Sequence, residues 1–147
     1  IGLGIPAEPL FRSSYLLELY ISLDTSEGTL GTDQLKWLRQ LLEEKKTAGY
    51  RRIIVFTHTH LFKQDNSQGH TSNLSLEETY ELTNLLSEAG VEMYLCGHDH
   101  SREVTAYGGV KYIVVDACCD AEPDPYYMVL DMGEKVNYEF ISLLPRP

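Results

Sequence analysis

The sequence lacks a basic surface, a long hydrophobic run and a disulfide framework, and each absence excludes a class of protein. Its 12 Lys and Arg residues stand against 22 Asp and Glu, giving a formal net charge of −10. Such a chain repels a nucleic-acid backbone, so we do not expect nucleic acid as a partner, although a nucleotide stays an open alternative. No apolar run approaches the roughly 20 residues needed to span a bilayer, so we expect no membrane partner. Three cysteines are too few and odd in number for a framework of disulfides, which favours a reducing compartment such as the cytoplasm.

The length of the chain suits a single folding unit. At 147 residues it is large enough to bury a hydrophobic core, and no linker or internal repeat divides it. The first residue is Ile1 rather than Met. We therefore expect residues 1–147 to be part of one domain that belongs to a longer protein.

Strand and helix patterns alternate through the first hundred residues and predict an α/β fold. A strand followed by a helix, repeated and closed by a third strand, is typical of right-handed crossovers in a parallel sheet. The first helix has a candidate N-cap at Thr32 and a stop at Gly49, and the second has a Ser75–Glu78 capping box and a stop at Gly90. The predicted elements are strand 15–23, helix 32–46, strand 53–57, helix 75–89 and strand 91–96.

Beyond residue 101 the pattern changes to short strands separated by turns. Gly108-Gly109 predicts a hairpin turn and Gly133 helps form another. We therefore expect an antiparallel β layer, built from strands at 103–106, 111–116, 127–131 and 136–143. The polar segment Lys63–Asn73 has no periodicity and predicts a surface loop.

Three histidines follow the ends of two predicted strands. His58 comes directly after the β-branched run 53–57, and Gly97-His98-Asp99-His100 comes directly after the apolar run 91–96. The carboxyl ends of parallel strands meet at one edge of a sheet, and a glycine at 97 allows a tight turn there. Neutral imidazole nitrogens are good ligands for Zn, Fe, Mn or Ni. The sequence therefore predicts a metal site formed by His58, His98 and His100.

These segments give the chain a resemblance to a known family. Ile54-Val55-Phe56-Thr57-His58 and the later Gly97-His98-Asp99-His100 stand in the order found in calcineurin-like metallophosphoesterases, and Ile21–Thr25 followed by Gly31–Leu38 resembles the run between the two halves of that family's domain. The family includes purple acid phosphatases, cyclic-nucleotide phosphodiesterases and several nucleases. The resemblance covers nearly the whole chain. It implies an αββα sandwich of mixed β-sheets flanked by helices, of which this chain is the carboxyl-terminal half.

The resemblance also implies a reaction and a set of ligands. His58 and His98 would ligate one metal and His100 a second, and a metal-bound hydroxide would attack a phosphomonoester or phosphodiester substrate. The two ions would be drawn from Mn, Fe and Zn, because imidazole-rich ligation disfavours Mg and Ca. Asp99 could orient an imidazole, although exposure to water is the favoured expectation for it. For His60, support of a ligand and simple exposure are both open.

The chain departs from the family in what it lacks. The family's first half supplies an Asp-x-His pair, a Gly-Asp and a Gly-Asn-His, and none of the three occurs in this sequence. The acid or base of the reaction would therefore lie in a missing amino-terminal half, and we expect the isolated chain to have little or no phosphatase activity. Two alternatives remain. One is a non-catalytic interaction or regulatory domain that kept the fold, and the other is a hydrolase with a single zinc held by His58, His98 and His100.

Overall fold

The computed structural model describes residues 11–15, 18–62, 74–117 and 123–144. The predicted loop Lys63–Asn73 and the pair Cys118-Cys119 lie outside these ranges. Within them the chain forms strands and helices in an order that alternates first and then becomes all-β: β1 Phe11–Tyr15, β2 Glu18–Ser22, α1 Gly31–Ala48, β3 Arg52–Phe56, α2 Leu76–Glu88, β4 Met93–Cys96, β5 Glu103–Tyr107, β6 Val110–Val114, β7 Tyr126–Met132 and β8 Val136–Ser142.

The main sheet has six strands in the order β1-β2-β3-β4-β6-β5. Strands β2, β3, β4 and β6 pair in parallel, and β1 and β5 add antiparallel edges. The predicted α/β class with a mixed sheet flanked by helices is confirmed. The strand predicted at 15–23 is confirmed over 18–22 as β2, but its amino-terminal bound is wrong, because Tyr15 ends an antiparallel neighbour, β1.

The antiparallel layer predicted after residue 101 is only partly correct. Only β7 and β8 form a separate two-stranded sheet, whereas β5 and β6 join the main sheet. Strand β6 lies parallel to β4 and is covered on both faces: Tyr112 packs with the helices and Ile113 with the second sheet. A strand covered on both faces is typical of a parallel sheet.

The core lies on both faces of the main sheet. Leucines of both helices pack on one face, among them Leu38 of α1 and Leu82 of α2, each fully buried. On the opposite face, Ile54 and Leu95 pack with Met128 and Phe140 of the β7–β8 sheet. The described residues therefore form three layers, helix, sheet and sheet.

The ends of the helices confirm some of the predicted capping residues and correct one. Gly49 adopts a left-handed conformation (φ 72°) after α1, as predicted, and the Ser75 hydroxyl caps α2 by accepting from the Glu78 N–H at 3.1 Å. Thr32 is not the N-cap of α1, which begins one residue earlier without a side-chain cap of its own. Instead the Glu78 carboxylate of α2 accepts the Gly31 N–H at 3.1 Å. Neither helix in the described ranges has both the length and the apolar character needed to cross a bilayer.

Candidate metal centre

The carboxyl ends of β3 and β4 are held together by backbone hydrogen bonds that continue beyond the strands. The Thr57 N–H donates to the Leu95 carbonyl at 2.9 Å, and the Gly97 N–H donates to the His58 carbonyl at 3.1 Å. Both turns that carry the predicted ligands are therefore fixed in register by the sheet itself. His58 lies beside the start of the Gly97–His100 turn as a direct consequence.

A buried threonine from the neighbouring strand end holds the His58 turn from the other side. Thr25 follows β2, and its hydroxyl lies 2.8 Å from the Thr57 hydroxyl and accepts the Thr59 N–H at 3.1 Å. The Thr59 hydroxyl donates in return to the Thr25 carbonyl at 3.2 Å. Sequence reasoning missed this network. The threonines flanking His58 were a visible signal, but their partner lies more than 30 residues away in the chain.

The structure brings His58 and His98 into direct contact. The His58 Nε2 and His98 Nδ1 atoms are 2.9 Å apart, and the two rings meet edge to face with their centroids 4.8 Å apart. His58 is exposed and His98 is half-buried. The juxtaposition expected from the strand ends is therefore present, while the role of both residues as metal ligands stays a prediction.

The backbone of the histidine turn is unusual at its histidines rather than at its glycine. His98 has φ 71° and His100 has φ 47°, whereas Gly97 does not adopt a positive φ. The left-handed region is disfavoured for residues with a Cβ, although histidine enters it more readily than most. Conformations of this kind concentrate at functional sites, where the surrounding structure enforces them. The expectation that Gly97 supplies the conformational freedom of this turn is therefore wrong.

His60 and Asp99 form a second, buried pair beneath the turn. The His60 Nδ1 atom lies 3.1 Å from the Asp99 Oδ2 atom, and both side chains are nearly inaccessible to solvent. The ring of Phe62 lies against His60, with centroids 6.5 Å apart. Exposure, which was favoured for Asp99 and open for His60, is wrong for both. The pair joins the turn after β3 to the turn after β4 from the inside.

The donor set is suited to part of a metal site. Two nitrogens bound to one tetrahedral zinc at 2.0–2.1 Å stand about 3.3 Å apart, so His58 and His98 would need to separate by only a few tenths of an ångström to share an ion. His100 is exposed. Within the described part of the chain, no group of three or more His, Cys, Asp or Glu side chains is arranged to hold a metal ion. The pair therefore fits as two ligands of one ion, and a centre with two ions needs further ligands.

Cys96 lies directly before this turn but is unsuited to ligation. Its thiol is buried at the end of β4 and points to the Ile113 carbonyl, with the sulfur 3.6 Å from that oxygen. Burial, with smaller contributions from the charges of Asp99 and Glu103, raises the pKa of the Cys96 thiol to about 12. Because only a thiolate is a good ligand, this buried and protonated thiol is a poor donor.

Comparisons with known proteins give a fold but no family. No family model matches the sequence, and no curated protein matches it. Among solved structures, the purple acid phosphatase PPD1 from yellow lupin superposes with a TM-score of 0.60 at 15% identity, over 82% of this chain and 27% of that one. GAP50, the anchor in the inner membrane complex of Plasmodium, gives 0.48 at 22% identity over 71% and 35%, and a Staphylococcus aureus protein assigned as a 5'-nucleotidase gives 0.48 at 17% over 90% and 28%.

The superposition on the lupin enzyme shows that this chain shares the fold of part of a purple acid phosphatase. At 15% identity this likeness shows the fold alone. This chain spans between 27% and 35% of the length of the three solved structures.

Proposed function

We propose that this chain carries part of the active site of a metal-dependent phosphoesterase. In this proposal His58 and His98 ligate one metal ion and His100 ligates a second, both drawn from Mn, Fe and Zn. An amino-terminal half of the same domain supplies the remaining ligands. The substrate is a phosphomonoester or phosphodiester, and a nucleotide falls within that class.

The observation that carries the proposal is the contact between His58 Nε2 and His98 Nδ1 at 2.9 Å. Two imidazoles that meet nitrogen to nitrogen, at the carboxyl ends of neighbouring parallel strands, stand where open α/β sheets bind their ligands. The left-handed backbone of His98 and His100 adds support, because the sheet holds both residues in a conformation they do not prefer. The fold shared with a phosphatase suggests the reaction class.

The chain's own residues would act as ligands and as their supports. His58 and His98 would hold the ion, and metal ions so bound supply Lewis acidity and lower the pKa of coordinated water. The Thr25 hydroxyl fixes the backbone of the His58 turn. The buried contact between His60 and Asp99 keeps the two turns at a constant spacing. Neither the Thr25 hydroxyl nor the His60–Asp99 contact needs to touch the substrate.

The experiment is a calorimetric titration of the 147-residue chain with Zn²⁺ and with Mn²⁺. We expect zinc to bind, and His58→Ala or His98→Ala each to weaken binding by about tenfold or more, since even the loss of a residue that only orients a ligand costs about that much. The control is Glu88→Ala, which removes an exposed carboxylate from the carboxyl end of α2. It should leave the affinity unchanged.

His100→Ala separates the proposal from the alternative of a hydrolase with a single zinc. If His100 ligates a second ion, this variant keeps the first zinc and loses only weaker binding. If one zinc is held by three histidines, His100→Ala should lose the binding of that zinc. A wild-type chain that binds no metal would contradict the ligand roles proposed for His58 and His98.

Activity gives an independent check. We expect no more than slight hydrolysis of p-nitrophenyl phosphate by this chain with Mn²⁺, because three neutral ligands do not hold two dications. Hydrolysis should become robust once the preceding half of the domain is present. That half must contain the Asp-x-His, Gly-Asp and Gly-Asn-His segments. Robust Mn²⁺-dependent hydrolysis by the 147-residue chain alone would contradict the proposal that this chain carries only part of the active site.

A further inference from the structure

One basic side chain stands at the edge of the sheet that carries the histidines. The described segments that follow the parallel strands at this edge are 23–26, 57–62, 97–102 and 115–117. Arg102 is the one Lys or Arg among them, in a chain with a net charge of −10. Within the described part of this edge, Arg102 is therefore the one side chain with a permanent positive charge.

The guanidinium of Arg102 is held in a defined position. Its carbon lies 3.6 Å above the centre of the Tyr126 ring, at the start of β7, and its Nε atom lies 3.3 Å from the Asp116 carboxylate. The Asp116 side chain is 4% exposed, whereas 38% of the Arg102 side chain remains exposed. A guanidinium has five N–H donors in a planar fork. Asp116 and the Tyr126 side chain are partners of this fork and the Asp124 charge also acts on it, and its exposed part can meet a further acceptor.

The sheet places this guanidinium close to the histidine turn. The β4–β6 pairing sets Cys96 beside Val114, and the Val115 N–H donates to the Cys96 carbonyl at 2.7 Å. His98 comes two residues after Cys96 and Asp116 comes two residues after Val114, so both follow the ends of these paired strands. Arg102 therefore lies on the β6 side of the turn, and His58 lies on its β3 side. A phosphate group bound at His98 would have a histidine on one side and the guanidinium on the other.

We propose that Arg102 binds the phosphate group of the substrate. The planar fork matches two phosphate oxygens, and the stacking on Tyr126 with the Asp116 contact orients the fork before the anion arrives. This residue would determine specificity for the anion, and it would offset the repulsion that the acidic chain exerts on a phosphate ester. The proposal rests on the proposed function for its substrate class, but phosphate binding itself requires no metal.

The test is a titration of the ¹⁵N-labelled, metal-free chain with inorganic phosphate, monitored by NMR in the presence of EDTA. The Nε–Hε signal of Arg102, assigned as the one lost in Arg102→Met, should shift in a saturable manner. Arg102→Met should weaken phosphate binding by about tenfold, as expected for a lost hydrogen bond to a charged group. Arg102→Lys, which keeps the charge but not the fork, should retain part of the affinity.

The control is Arg39→Met, which removes the same charge from the exposed Arg39–Glu81 pair on the helical face and should leave phosphate binding unchanged. An Arg102 signal that stays fixed while phosphate saturates the chain would overturn the proposal, and so would an Arg102→Met variant of wild-type affinity. Neither result depends on whether the histidines bind metal. If the chain binds zinc through His58 and His98 but the Arg102 signal stays fixed, only the phosphate-binding role of Arg102 is contradicted. If the Arg102 signal shifts but zinc does not bind, the phosphate site is supported and the proposed metal-dependent phosphoesterase is contradicted.

Discussion

His58 and His60 are two residues apart, yet their surroundings are opposite. A continuous strand would place residues i and i+2 on the same face, but the chain bends at Thr57–Thr59 under the hydrogen bonds of Thr25. His58 therefore stays exposed at the edge of the sheet, and His60 turns into the interior against Asp99. Residue type alone does not decide which histidine can ligate a metal, because the backbone hydrogen bonds around it determine which imidazole remains accessible.

The buried hydroxyl of Tyr94 supports this bend from below. It donates to the Thr59 carbonyl at 3.0 Å, whereas the buried hydroxyl of Tyr112 has no hydrogen-bond partner in the described structure. We expect Tyr94→Phe to lower the free energy of unfolding by about 1–2 kcal/mol, because it leaves a buried carbonyl without its donor. Tyr112→Phe should be neutral or slightly stabilising. Urea denaturation of both variants measures the difference.

These two variants control for each other. Each removes one oxygen from a buried ring, and the two ring centroids are only 5.4 Å apart, so changes in packing and hydrophobicity nearly cancel. The remaining difference reports the hydrogen bond to Thr59. Equal losses of stability in Tyr94→Phe and Tyr112→Phe would show that the bend does not depend on it.

The same two tyrosines should make the fold sensitive to alkaline pH. Burial raises the pKa of Tyr112 to about 12 and raises the pKa of Tyr94 further, compared with about 10 in an unfolded chain. The folded state therefore keeps protons that the unfolded state releases. The stability this provides is complete below pH 10 and is lost as the pH rises towards 12. Each buried tyrosine should contribute a fall of up to about 1.4 kcal/mol per pH unit.

The measurement is urea denaturation at several pH values between 9 and 11. The free energy of unfolding should fall with pH in the wild-type chain, and less steeply in Tyr112→Phe. Lysine and arginine titrate equally in both proteins and cancel from the comparison. If the two slopes agree, the hydroxyl of Tyr112 ionises as readily in the folded chain as in the unfolded one.

At the scale of elements, the two helices are joined at their amino ends by one carboxylate. Glu78 in the first turn of α2 accepts from the Thr29 hydroxyl at 2.7 Å and from the Gly31 N–H at 3.1 Å. It therefore caps α1 from a different helix and also places a negative charge near the amino end of that helix, where the helix dipole favours it. This replaces the side-chain cap that α1 lacks.

Glu78→Ala should therefore destabilise the fold by about 1–2 kcal/mol. The control is Glu77→Ala, which changes an exposed neighbour in the same turn and has the same effect on helix propensity and on the α2 dipole. It should cost less than about 0.5 kcal/mol. Thermal unfolding followed by circular dichroism compares the two variants. A similar shift of the melting temperature in both would mean that the contact with α1 contributes nothing beyond the charge on α2.

The sequence was informative wherever the signal is local. Apolar periodicity, Ser75 and Gly49 suffice for β2 to β4 and the helices between them, because each signal acts within a few residues. The parallel order of these strands then predicts that His58 and His98 meet. The cap of α1, the burial of His60 and the return of β6 to the main sheet all depend on partners more than 15 residues away. No local pattern carries those contacts, so they became visible only in the folded chain.

At the scale of the whole molecule, one buried arginine joins the two sheets at the edge opposite the histidines. Arg52 opens β3, and its guanidinium pairs with Glu18 of β2 at 2.8 Å. It also donates to the carbonyls of the β7–β8 turn at Met132, Gly133 and Glu134. The turn between the outer strands is thereby fixed to the main sheet.

Arg52→Met should lower the free energy of unfolding by about 3 kcal/mol or more, because it leaves the buried Glu18 carboxylate without its ionic partner and removes a donor to the Met132 and Gly133 carbonyls. Arg51→Met is the matched control. Arg51 is exposed, and among the described residues its one hydrogen bond goes to the Glu134 carbonyl, so its loss should cost less than about 1 kcal/mol. Hydrogen exchange should localise the effect, with the amides of β7 and β8 losing protection before those of β3 and β4 do. If all four strands lose protection together, or if Arg51→Met is as damaging as Arg52→Met, the guanidinium does not hold the second sheet in place.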